Sequence, residues 1–120
     1  MRIFKTRWFQ RWAKKEKLSD QALINAVDEI EKGLIEADLG GGVYKKRVAQ
    51  PGRGKSGSTR TLLAYQAGDK TFYMFGFAKN KRANIADDDL KVLKLLAKEL
   101  LAHNDKVLNQ LLEKEELFEV

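Results

Sequence analysis

Cysteine is absent from the 120-residue chain, proline and histidine occur once each, and no stretch stays apolar for long. Without thiols there is no disulfide framework, no thiolate metal site and no cysteine nucleophile. A single histidine, His103, cannot build a histidine metal cluster, and far from the basic loop in sequence it gathers no Ser-His-Asp set; no metal ligation is expected. It falls near a junction of C-terminal helices and reads as a surface or capping residue. No window approaches the roughly 18 apolar residues of a membrane span. Met1 to Phe9, charged at Arg2, Lys5 and Arg7, lacks the apolar stretch of a signal peptide. A cytoplasmic protein with no membrane partner is the expectation. One proline, no repeat and no low-complexity tract leave no linker, so residues 1–120 are expected to form a single domain.

The most informative scarcity is that of carboxylates in the middle of the chain. Residues 43–82 carry 10 Lys or Arg against one Asp, while residues 1–42 carry 8 against 7 and residues 83–120 carry 5 against 9. The formal net charge of +6 therefore arises entirely in the middle third. Such concentration is the electrostatic footprint of a polyanion-binding surface. A solvated face of flexible lysines is the plain alternative, and it would leave more carboxylates among them.

Hydrophobic spacing orders the elements. Arg2 to Lys5 is a short candidate strand, and Thr6 suits the cap of a first helix whose apolar face is Trp8, Phe9, Trp12 and Ala13. Ser19 or Asp20 caps a second helix, with Ala22, Leu23, Ala26, Val27, Ile30 and Leu34 on one stripe and Gly33 or Gly40 to Gly42 as its end. From Val43 the period changes to two. Val43 to Ala49, Arg60 to Ala67 and Thr71 to Ala78 read as strands of an antiparallel meander, the last two joined at Gly68-Asp69. Alternation puts Tyr73, Phe75 and Phe77 on one face and Phe72, Met74 and Gly76 on the other. Most of these aromatics suit a core, with Tyr65 and Tyr73 as candidate base stackers. Asp87 to Asp89 open a helix with Leu90, Leu93, Leu96, Ala97, Leu100 and Leu101 inward, and a further helix begins near Asn104. Leu117 to Val120 is a closing strand or a frayed end. The fold class is α+β.

Between the first two meander strands lies Pro51-Gly52-Arg53-Gly54-Lys55-Ser56-Gly57-Ser58-Thr59-Arg60. Its glycines imitate nucleotide-binding loops, but they lead into a strand where a dinucleotide fingerprint needs a helix, and the acidic partner for the ribose is missing. A Walker A loop needs glycine where Ala49 stands. No nucleotide cofactor is expected. What remains is a cationic loop in which Arg53, Lys55 and Ser56 offer charge and hydroxyl donors to an anion. Lys45, Lys46 and Arg47 precede it, and Arg60 follows. A second basic group, Lys79, Asn80, Lys81 and Arg82, ends the third meander strand. Pairing across Gly68-Asp69 places Arg60 opposite Ala78 or Lys79, so the two groups converge at one end of the sheet. Such a site suits RNA phosphodiester cleavage, because the substrate's 2′-OH supplies the nucleophile and the protein supplies alignment and charge.

The stretches KKRVAQPGRGKSGSTR (Lys45 to Arg60), GFAKNKRANI (Gly76 to Ile85), RWAKKEKLSDQAL and GLIEADLGGG resemble the RelE/HigB-type toxins of bacterial type II toxin–antitoxin systems, over nearly the whole chain. The resemblance implies a RelE-like fold: two N-terminal helices packed on a twisted antiparallel sheet, with C-terminal helices and a basic cleft on the other side. It implies an endoribonuclease that enters the ribosomal A site, meets rRNA and cuts mRNA, held inactive by a cognate antitoxin. By motif, Lys55, Arg60 and Lys79 take the catalytic places: Arg60 and Lys79 for phosphate and transition-state charge, Lys55 or Arg53 for positioning and proton transfer. Arg53, Lys45, Lys46, Arg47, Ser56, Asn80, Lys81 and Arg82 are the candidate phosphate contacts. Ser58 and Thr59 replace a glycine and a tyrosine usual in the family before that arginine. A ParE-like gyrase poison of the same fold and a non-catalytic nucleic-acid-binding module are the alternatives.

Overall fold

Thr6 ends one element and starts the next. Its hydroxyl accepts the amide of Phe9 at 3.2 Å, so β1 (Arg2–Thr6) passes directly into α1 (Arg7–Lys15). Ser19 caps α2 (Asp20–Glu31) in the same way, its hydroxyl accepting from the Ala22 amide at 3.1 Å. The computed structural model describes residues 1–49, 59–78 and 85–120. Within them follow β2 (Ala37–Gly40), β3 (Val43–Val48), β4 (Thr59–Gln66), β5 (Lys70–Ala78), α3 (Asp87–Ala102), α4 (Asp105–Glu113) and β6 (Leu117–Glu119).

The class is α+β, and the sheet is six-stranded and mixed, in the order β2-β3-β4-β5-β1-β6. The expectation of a purely antiparallel sheet is corrected at one place: β1 lies parallel to β5, with Phe4 beside Phe72. After β1 the chain passes through two helices that cover one face of the sheet and re-enters it at the far edge as β2; the antiparallel meander β2-β3-β4-β5 then works back until β5 lies beside β1, pointing the same way. Leu117–Glu119 is a strand and pairs antiparallel with β1.

Two further differences come from short-range geometry. Gly40, Gly41 and Gly42 all have positive φ, and they form the tight β2–β3 turn. α2 has already ended at Glu31, and Gly33 follows at φ +87°. The strand before that turn has four residues of alternating exposure, too few for the sequence pattern to declare it. In β5 the register shifts, with Leu62 opposite Phe75 but Leu63 opposite Tyr73, which makes Met74 an extra residue. A bulge of one residue reverses the faces beyond it. Tyr73 and Phe75, expected on one face, lie on opposite ones.

Two cores result. Phe9, Ala13, Leu23, Val27 and Ile30 pack with Val48, Leu63 and Tyr73 on one face of the sheet. Ala97, Leu100 and Leu108 pack with Phe4, Val43, Ala64 and Phe72 on the other. β4 is buried at Thr59 through Ala64, covered on both faces. At Gly76 the ring of Trp12 lies directly on the sheet: a Cβ there would stand 2.2 Å from Cζ3 of Trp12. Gly76→Ala is expected to destabilise the domain by about 1–3 kcal/mol, measured by urea unfolding. Combined with Trp12→Leu, which removes the ring, it should cost less than the sum of the two single changes.

Candidate nucleic-acid interface

β3, β4 and β5 terminate together. Val48 pairs with Thr59, and Thr59 with Ala78, so three strand ends share one row. The segment from 50 to 58 joins β3 to β4 at this row, and the segment from 79 follows β5 from it. Arg53, Lys55 and Ser56 on the first, and Lys79, Asn80, Lys81 and Arg82 on the second, lie outside the described residues. Their points of attachment are neighbours. Arg60 stands opposite Phe77, one position from the expected Ala78.

Arg60 is an arginine on a central strand, 8% exposed. Its Nε lies 2.8 Å from Oε1 of Glu36 in an ion pair. Nη1 is buried and has no hydrogen-bond partner among the described residues. A buried guanidinium donor without an acceptor is costly, and such groups occur where function requires them. Glu36 therefore holds one side of a planar fork, and the fork's geometry matches the oxygens of a phosphate.

Cross-strand pairs share a face. Arg47 is directly opposite Arg60, and Lys45 lies two residues before Arg47, so the three cations occupy one side of the sheet. Lys45 Nζ lies 4.0 Å from the other oxygen of Glu36, and Arg47 is exposed. Lys46, expected with them, points the other way. It is buried against α2, 3.0 Å from Oε1 of Glu29, and donates to the carbonyl of Leu34 at 2.9 Å. Period-two alternation made this split of Lys45-Lys46-Arg47 readable. Glu36 was not readable: it counts among the carboxylates of the N-terminal third, and only the β2–β3 pairing carries it to Lys45 and Arg60.

Aromatic residues border the cations. Phe77 shares Arg60's face, Phe75 lies 6.5 Å from Phe77 between ring centroids, and Trp8 stacks on Phe75 at 4.5 Å. Trp8, expected to face inward, is 44% exposed. The two tyrosines considered as stackers are elsewhere. Tyr73 is fully buried and donates to the Leu23 carbonyl at 2.8 Å. Tyr65 lies near the other end of β4 and donates to Glu31 at 2.7 Å. Its burial, then the bond and field of Glu31, push its phenol up to about 12. His103 is the C-cap of α3, its carbonyl accepting from Lys70 at 2.7 Å. Among the described residues no three His, Asp or Glu side chains group as a metal site, and no helix is long and apolar enough to cross a membrane.

A mixed sheet that sets Arg60, Arg47 and Lys45 on one face, with Glu36 against Arg60 and Lys45, defines a small cationic α+β domain. The family model described as the RelE toxin of the RelE/RelB toxin–antitoxin system matches residues 1–120, and the chain belongs to that family. Membership makes it the toxin of a toxin–antitoxin pair and implies a cognate RelB-type antitoxin as partner. No curated protein matches the chain.

Opposite orientations predict opposite phenotypes. Lys46→Met should lower stability by about 1–2 kcal/mol, discounted because Glu29 is half exposed, and leave RNA affinity unchanged. Arg47→Ala should preserve stability, weaken RNA binding and reduce the salt slope by about one counterion. Urea unfolding and filter binding across a salt series separate the two.

A raised phenol pKa means that the neutral form is favoured by folding. The Tyr65 contribution is therefore complete below the usual phenol value near 10 and is lost as pH rises through about 12. Glu31→Gln should move the Tyr65 titration part of the way back toward 10, read by ultraviolet difference spectroscopy.

Proposed function

We propose that this toxin is a ribosome-dependent mRNA endoribonuclease, and that Arg60 stabilises the phosphoryl charge that develops during cleavage. The observation that carries the reading is the Arg60 guanidinium itself, buried, fixed at Nε by Glu36 and without an acceptor at Nη1 among the described residues. A donor set in place before the reaction loses nothing to reorganisation when charge appears, which makes it worth far more than a mobile surface cation.

The reaction this favours uses the RNA's own 2′-OH. Its oxygen attacks phosphorus, the bond to the 5′-oxygen breaks, and one proton leaves the attacking hydroxyl while another reaches the leaving group. Arg60 and Lys79 hold the non-bridging oxygens. Lys55 or Arg53 positions the strand and moves a proton. Lysine and arginine are weak acid–base groups at neutral pH unless crowding of like charge lowers a lysine pKa. A site of this composition is slow on free RNA, and the ribosome supplies the alignment that the protein lacks. Lys45 and Arg47 grip the backbone at the margin, and Ser56, Asn80, Lys81 and Arg82 extend that grip. In this reading the exposed ring of Trp8 is the aromatic surface that an unpaired base would meet.

The test is cleavage of mRNA on purified ribosomes, mapped by primer extension. Breaks linked to codons are expected with ribosomes and not without them. Arg60→Met keeps the apolar stem in place and should lower the cleavage rate about a hundredfold or more while circular dichroism and thermal unfolding show a folded domain. Cleavage at the unaltered rate by that variant would remove the assignment. DNA breaks instead of RNA breaks would make the chain a gyrase poison, and neither would leave a nucleic-acid-binding module.

A further inference from the structure

Val92 and Leu95 are the most exposed large apolar side chains among the described residues, at 63% and 71%, and both belong to α3. Three positions apart, they stand on neighbouring turns of one helix face. α3 already buries another stripe, with Ala97 and Leu100 packed on the second core. It therefore presents more apolar surface than the sheet covers. Val92 borders a smaller hollow with Phe75, Asp89 and Leu93, so of the two it is Leu95 that belongs to the surface described next.

Leu95 borders a groove of about 860 Å³ between α3 and the β2–β3 turn. Leu95, Leu101 and Tyr65 give it an apolar lining, Lys91, Lys94 and Lys98 line it as well, and no lining residue is a carboxylate. The turn is fitted to it. A Cβ on Gly42 would stand 2.8 Å from Cδ1 of Leu101, and one on Gly41 would stand 3.4 Å from Cγ of Lys94. Positive φ at Gly40, Gly41 and Gly42 keeps side chains out of this wall.

We infer that this groove is the docking site for an acidic amphipathic segment of the cognate antitoxin. Its apolar side chains seat against Leu95 and Leu101, and its carboxylates meet Lys91, Lys94 and Lys98. The lining sets the sign of the partner, three cations with no anion among them. Its apolar floor sets the kind of partner: an RNA backbone would need the lysines alone, whereas an amphipathic protein segment uses both features. The inference rests on family membership and on the groove, not on the ribonuclease reading.

The full chain is co-expressed with the protein of the adjacent reading frame, and affinity is measured by calorimetry at several salt concentrations. Leu95→Asp should weaken binding about tenfold or more. Lys91→Glu combined with Lys98→Glu should do the same and flatten the salt dependence. All three positions are exposed or at the groove's rim, so thermal unfolding should change little, and growth arrest by the chain without its partner should persist. Unaltered affinity in both variants overturns the inference, as does failure of the unmodified chain to bind that protein. Loss of ribosome binding with partner affinity intact overturns it too, because the lysines would then serve RNA. Ribosomal cleavage is scored separately, so failure of the ribonuclease reading appears there and not in the affinities.

Discussion

The contact between Arg60 and Glu36 sets what the cationic end of the sheet can be. Two arginines directly opposite each other on adjacent strands repel, and Lys45 adds a third positive charge on the same face. One carboxylate, Glu36, lies among them, 2.8 Å from Arg60 Nε and 4.0 Å from Lys45 Nζ. That is enough to let β3 and β4 pair in register and too little to neutralise the surface. The remainder is an attractive field for a polyanion, produced by a ladder that folds with its charges under-compensated.

Arg60 holds its place because β4 is central and covered on both sides. The two cores grip neighbouring residues of the strand, Leu63 from one face and Ala64 from the other, so the backbone next to the arginine has no freedom to swing it away. Gly76 lets Trp12 lie against β5 across the row that also contains Thr61. Cations and scaffold thus separate by alternation. Even-numbered side chains of β3 (Tyr44, Lys46, Val48) join α2 and its core, and odd-numbered ones (Lys45, Arg47) reach the anion-facing side. Adjacent lysines with the same chemistry take unlike roles because a strand turns successive residues by half a revolution.

Much of this was legible in the sequence because it depends on local periodicity. The caps at Thr6 and Ser19, the meander and the leucine stripe of α3 each follow from spacing within a dozen residues. What escaped depends on partners distant along the chain. A four-residue β2 carries too few alternations to announce itself, and the three glycines after it read as a helix end. The parallel β1–β5 pairing joins residues nearly 70 positions apart, with no local signature. The bulge at Met74 leaves composition unchanged while exchanging the faces of Tyr73 and Phe75. The basic cluster announced a site by its lack of carboxylates, yet Glu36, the carboxylate that orders Arg60, belongs to another segment and arrives by strand pairing.

The position of the groove bears on how a toxin of this build is silenced. The groove adjoins Gly42 and Tyr65, near the row where Val43 pairs with Ala64, whereas the Arg60 end is the row of Val48 and Thr59. Five residues of strand separate these rows, roughly 17 Å at about 3.4 Å per residue. A segment seated in the groove leaves Arg60 uncovered unless its chain continues along the sheet. On the ribonuclease proposed above, inhibition would then operate by bulk, by keeping the toxin out of a confined RNA site, and the cationic end would keep its charges from a protein carboxylate. Docking at one end and chemistry at the other would let the partner's sequence vary without disturbing the arrangement around Arg60, since the two surfaces share a scaffold and no side chain.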